Sequence, residues 1–173
     1  KDNYDAVSIA TPDHHHYPAA IMAMKLGKHV YCEKPLTHTV WEARQLGIAR
    51  DKYKLATQMG NQGHSNEGNR LMVEWIQQGA LGKISEVHCW TNRPVWPQPV
   101  ANPKKADPIS DNIDWDVYLG PAPKTQLYKK GIYPFKWRGF WPFGAGALGD
   151  MGCHTMDAFF WAMDPGAPTS VEC

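Results

Sequence analysis

Two stretches decide the fold: Ala6-Val7-Ser8-Ile9-Ala10-Thr11-Pro12, and Gly27-Lys28-His29-Val30-Tyr31-Cys32-Glu33-Lys34-Pro35. Each is a short apolar run cut by a proline. Proline removes a backbone donor and pushes the residue before it out of helical space, so each run reads as a buried strand ending in a loop. Between them, Pro18 to Leu26 places Ala19, Met22, Ala23 and Leu26 on one helical face. Gly27 is a good stop, and Lys25 and Lys28 suit the carbonyl end. Further on, Thr37 or Thr39 can cap a helix to about Tyr53, with Trp41, Leu46 and Ile48 among its apolar positions. Leu55 to Met59 reads as a third strand. Strand, helix, strand, helix, strand with short connections predicts a parallel doubly wound α/β sheet, with reactive residues at the strands' C-terminal ends.

After Gly60 the pattern changes. Asn61-Gln62-Gly63-His64-Ser65-Asn66 is a polar loop, Asn69 to Gln78 a helix stopped by Gly79, and Ile84 to Trp90 a half-exposed strand. From Arg93 to Pro123 prolines stand at 94, 97, 99, 103, 108, 121 and 123, so no periodicity survives and a long ordered loop is expected. Gly144 to Gly149 is glycine-rich, and Asp150 to Met163 reads as a helix stopped by Asp164-Pro165-Gly166. The chain opens directly on a strand and closes on what reads as another, so both ends look cut from something longer.

Composition narrows the function classes. The 173 residues are 43% hydrophobic and 20% charged, as in ordinary globular proteins. With 18 Lys+Arg against 17 Asp+Glu, the net charge of +1 offers no basic field for nucleic acid. No run approaches the ~20 apolar residues needed to span a bilayer. Eight Trp are an excess, and five of them (90, 96, 115, 137, 141) fall between Trp90 and Trp141. Cys32, Cys89, Cys153 and Cys173 form no CxxC pair. Cys32 and Cys89 fall in predicted strands, where free thiols pack as small hydrophobes.

Three clusters could carry chemistry. Glu33-Lys34-Pro35 sits at a strand tip, where a partly desolvated Lys can polarise a hydroxyl or neutralise an alkoxide; a surface Lys before a turn has the same sequence. Asp150 and His154 are i and i+4 on a helix, with Asp157 three residues further on. That spacing fits a carboxylate-supported general base, a capped helix start with a packed imidazole, or zinc or iron ligands. Thr11-Pro12-Asp13-His14-His15-His16 puts three His after the first strand; Pro12 fixes the loop, one imidazole is expected to face a ligand and the others solvent. No GxGxxG, Walker, GxSxG or HExxH motif occurs.

In this order, the strand to Thr11-Pro12 with His16, the run into Glu33-Lys34-Pro35, and Gly146-Ala147-Leu148-Gly149-Asp150-Met151-Gly152-Cys153-His154-Thr155-Met156-Asp157 resemble the glucose–fructose oxidoreductase/inositol dehydrogenase (Gfo/Idh/MocA) family. The resemblance implies a partial NAD(P)-binding Rossmann domain over 1–60 and part of a substrate-binding α/β domain with an open, largely antiparallel sheet over 61–173. It implies NAD or NADP as cofactor and hydride transfer at a hydroxyl carbon of a sugar, sugar derivative or cyclitol. By resemblance Lys34, Asp150 and His154 are catalytic, with His154 taking the hydroxyl proton. Thr11, Pro12, His16, Glu33 and Lys34 lie along the cofactor, and Asp157 contacts substrate. Asn61, Gln62 and His64 could bind sugar hydroxyls. Lys136, Trp137 and Arg138 could close over substrate, with Trp137 and Trp141 the first aromatics expected against a sugar face. A homo-oligomer is implied, with no nucleic-acid or membrane partner. The family's glycine-rich half precedes its second strand and is missing here, so weak or absent NAD(H) binding is expected of these 173 residues alone. Two alternatives remain: a relative that cleaves glycosides by transient oxidation, and a non-catalytic binding or assembly protein.

Overall fold

The computed structural model describes residues 4–93, 101–131 and 135–172. Strands β1 (Ala6–Ile9), β2 (His29–Glu33) and β3 (Thr57–Gly60) form a parallel sheet in the order β1-β2-β3. Ala6 pairs with His29 and Ile9 with Cys32; Val30 pairs with Thr57 and Glu33 with Gly60. Helices α1 (Asp13–Lys25) and α2 (Val40–Tyr53) are the crossovers. Thr39 caps α2 in a full capping box: its hydroxyl accepts from the Glu42 amide while the Glu42 carboxylate accepts from the Thr39 amide.

Helix α1 begins five residues earlier than its apolar face suggests. Pro18 reads as a helix start but lies inside the helix, and Pro12 precedes its first residue. The three histidines are therefore on helix α1, with Pro12 as its N-cap. His14 and His16 are buried and only His15 is half-exposed, whereas two of the three were expected to face solvent.

Contacts divide the chain into two units. The first joins Lys1–Gly60 to Arg93–Asp150. Its sheet core is Ile9, Ala20, Ala23, Met24, Val30, Cys32, Leu46 and Ala49. Each large aliphatic side chain buried there contributes about 1.5–3 kcal/mol. A second cluster holds Leu119, Ala122, Trp137, Phe140 and Phe143. The proline-rich stretch is irregular but includes a short helix, α4 (Trp115–Leu119), capped by Asp114. Prolines 94, 97 and 99, Trp96 and Cys173 lie outside the described residues.

The second unit is Asn61–Asn92 with Met151–Cys173. A 3-10 turn (Gln62–Ser65) leads into α3 (Glu67–Gln77), which packs on α6 (Asp157–Met163) and buries Val73. Ile84–Trp90 forms no strand, because no neighbouring backbone among the described residues pairs with it. Cys89 is accordingly exposed rather than packed. Residues 168–172 form no strand either. The expected helix Asp150–Met163 is two helices: α5 (Gly146–Thr155) starts inside the glycine-rich stretch, and a break at Met156 separates it from α6. Helix α5 crosses the boundary between the units, with Asp150 in the first and His154 in the second.

Candidate active site

In the first unit, Lys34 follows the C-terminal end of β2, and its bond to Pro35 is cis. Its Nζ donates to Asp150 Oδ1 at 2.6 Å and to the Asp150 carbonyl at 2.7 Å. Asp150 is the fifth residue of α5, not its cap, and its side chain is 4% exposed. Arg138 Nε lies 3.6 Å from Asp150 Oδ1 and Arg93 3.8 Å from Oδ2. One buried carboxylate is thus hemmed by three cations, which fixes the Lys34 ammonium at the strand tip. Such a fixed ammonium can hydrogen-bond a hydroxyl oxygen and offset negative charge developing on it.

The segment before α5 is held by close backbone approach. A side chain at Gly144 would place Cβ 2.6 Å from Arg138 Cα and 2.7 Å from its carbonyl oxygen, space that only glycine leaves free. The Ala145 amide donates to Asp13 Oδ2 at 2.9 Å. Asp13 is buried at the start of α1, and burial raises its carboxyl above the usual range, against the lowering effects of the Ala145 bond, His16 and Arg138.

His16 is 1% exposed and braces the two strand-tip loops, with Nδ1 2.7 Å from the Pro35 carbonyl and Nε2 2.8 Å from the Thr11 carbonyl. It thereby ties Thr11 to Pro35, the residue after Lys34. His14 Nε2 donates to the Tyr118 carbonyl at 3.0 Å, and burial pushes its pKa down to about 4. Cys32 is pushed up to about 12 by burial, then by Glu33 and Asp13. Trp137 is buried in the aromatic cluster with Arg138 over its ring, whereas Trp141 is 77% exposed beside His38. Thr11 is exposed, while Pro12 and Glu33 are half-buried. A Cβ on Gly60 would fall 2.8 Å from Glu33 Oε2, so glycine there makes room for the Glu33 carboxylate.

In the second unit, Asn61 Nδ2 donates to the Cys153 carbonyl at 2.7 Å, tying the polar turn to the stretch of α5 that carries His154. His154 Nδ1 lies 3.9 Å from where a Cβ on Gly63 would stand. His64 Nδ1 lies 3.0 Å from both oxygens of Asp157. Asp13 entered the sequence reading only as part of the histidine cluster, with no role of its own, and Arg93 escaped it. An acid directly after a proline, at a helix's first residue, was the available signal for Asp13; Arg93 carried none.

Among the described residues no group of three or more His, Cys, Asp or Glu could hold a metal ion. Lys34 thus stands at a parallel strand's tip, bonded to an acid that precedes His154 by four residues on α5.

Comparison with known proteins agrees. Residues 1–61 match the family model "Oxidoreductase family, NAD-binding Rossmann fold", and residues 74–173 match "Oxidoreductase family, C-terminal alpha/beta domain". The chain belongs to the Gfo/Idh/MocA oxidoreductase family. It is 29% identical over 151 residues to levoglucosan dehydrogenase of Pseudarthrobacter phenanthrenivorans, covering 87% of this chain and 31% of that protein. It is 30% identical over 133 residues to D-xylose 1-dehydrogenase [NADP(+)] of Haloarcula marismortui, covering 77% of this chain and 34% of that protein. The crystal structure of aldose-aldose oxidoreductase from Caulobacter crescentus shares the fold, with TM-score 0.59 at 20% identity, over 95% of this chain and 38% of that one. The chain therefore spans about a third of the length of the curated relatives it matches.

Proposed function

We propose that the protein is an NAD(P)-dependent oxidoreductase acting at a hydroxyl carbon of a sugar, sugar derivative or cyclitol. The observation that carries this reading is Lys34 Nζ held 2.6 Å from the buried Asp150 carboxylate, one turn of α5 before His154. A bound nicotinamide supplies the hydride-accepting or hydride-donating carbon. Thr11, Pro12 and Glu33 would hold its ribose end: they sit at the tips of β1 and β2, and the Glu33 carboxylate is the acceptor type a ribose diol takes. His16 holds those loops together.

In the oxidative direction Lys34 donates a hydrogen bond to the substrate oxygen and stabilises its charge as the proton leaves. His154 accepts that proton as general base. Asp150, with Arg138 and Arg93, keeps the Lys34 ammonium in place. Asn61, His64 and Asp157 are the hydroxyl-binding residues of the second unit.

The test is turnover by the intact protein of levoglucosan, D-xylose and myo-inositol with NAD and NADP. NAD(P)H forming in proportion to oxidised product supports the proposal. Net glycoside cleavage without free NAD(P)H, or no turnover with cofactor bound, contradicts it.

A further inference from the structure

Helix α6 grips one imidazole in two ways. Asp157 and Trp161 stand four residues apart, one turn along the same face. The first meets the edge of His64 and the second its face: both Asp157 oxygens lie 3.0 Å from Nδ1, and the Trp161 ring stacks at 4.1 Å between centroids with 22° between planes. The turn beneath is fixed too. The His64 amide donates to the Asn61 carbonyl at 3.0 Å, and Asn69 Nδ2 donates to the Gly63 carbonyl at 2.8 Å.

A carboxylate only accepts, so in the neutral ring it pins the proton on Nδ1 and leaves Nε2 as a bare acceptor. Stacking fixes the plane of that lone pair. The His64 side chain is 49% exposed and that of Asp157 17%. Thus both carboxylate oxygens face the ring nitrogen, and the ring is the more exposed partner. A lone pair held this way suits an O–H donor, and a neutral polyol presents a row of them.

We infer that Asp157 is a positioning residue, and that His64 Nε2, not the Asp157 carboxylate, accepts a hydroxyl of the sugar or cyclitol. This rests on the function proposed above and divides labour within its hydroxyl-binding side. Trp161 belongs to the same device as the ring's backing.

Two measurements on the intact protein test it. With 15N-labelled histidine, long-range 1H–15N NMR reads the tautomer of the neutral His64 ring. The Nδ1–H form is expected, and Asp157→Asn is expected to lose that single preference, because an amide can donate as well as accept. This measurement needs no substrate, so it stands even if no sugar in the panel is turned over. With the polyol turned over fastest, His64→Gln and Asp157→Asn are each expected to raise KM about tenfold while kcat changes less than twofold. The double variant is expected to be no worse than His64→Gln. An Nε2–H tautomer in the wild type overturns the inference. So does a double variant about a hundredfold impaired, because Asp157 would then bind substrate by its own oxygens.

Discussion

The Lys34–Asp150 pair predicts an asymmetry between its two partners. At an effective dielectric constant of about 20, charges 2.6 Å apart attract by about 6 kcal/mol before desolvation, and charges at 3.6–3.8 Å by about 4–5 kcal/mol. Lys34 thus supplies under half of the attraction that the buried carboxylate receives. In Lys34→Met the carboxylate keeps Arg138 and Arg93, so the cost should stay below the about 3–5 kcal/mol of a buried charge left unpaired. In Asp150→Asn the shape is unchanged, but three cations face one another around a neutral amide. Removing one partner of a buried pair costs about 3–5 kcal/mol, and the lower end applies because Lys34 and Arg93 reach solvent. Thermal unfolding of the intact variants at neutral pH, followed by calorimetry, should show Asp150→Asn losing several degrees and Lys34→Met less than half as much. Equal losses, or a larger one for Lys34→Met, would mean that Asp150 is not the shared anchor.

Three further outcomes follow from the packing. Gly144→Ala drives Cβ against the Arg138 backbone, which cannot swing aside as a side chain could, so a loss of about 1–3 kcal/mol in denaturant unfolding is expected. His14 is held neutral: its folded pKa of about 4 lies below the ordinary 6.5, so protonation favours the unfolded chain. Its contribution is complete above pH 6.5 and is lost as pH falls toward 4, by about 3 kcal/mol, and His14→Gln should flatten that part of the stability–pH curve. Iodoacetamide at pH 8 should modify the exposed Cys89 and leave the buried Cys32 intact in the native protein, which mass spectrometry of the digest reads directly.

Strand β3 runs Thr57–Gly60 rather than from Leu55, because pairing with β2 sets its ends, but β1 and β2 were legible because each is a short apolar run with a proline shortly after it. Thr39 is similar, since the Glu42 three residues on completes its capping box. The misreadings came where tertiary contacts outweigh local preference. Pro18 marks a helix start in isolation, yet α1 runs through it, with Asp13 and His14 bonded to Ala145 and Tyr118 far along the chain. Three glycines argue against a helix at 144–149, yet α5 begins at Gly146. Ile84–Trp90 has a strand's composition without a partner to pair with among the described residues. Of the candidate site, Lys34 and Asp150 were legible as residue types at telling positions, but their direct bond was not, because 116 residues separate them. Trp137 was expected against sugar, but only the fold shows its indole packed with Phe140 and Phe143.

In the proposed reaction His154 takes the substrate's hydroxyl proton. This is measured by kcat of His154→Ala in the intact protein, alongside the affinity for NAD(P). A fall of about 10²–10⁴ in kcat is expected, with cofactor affinity unchanged. Undiminished turnover would mean that another group takes the proton.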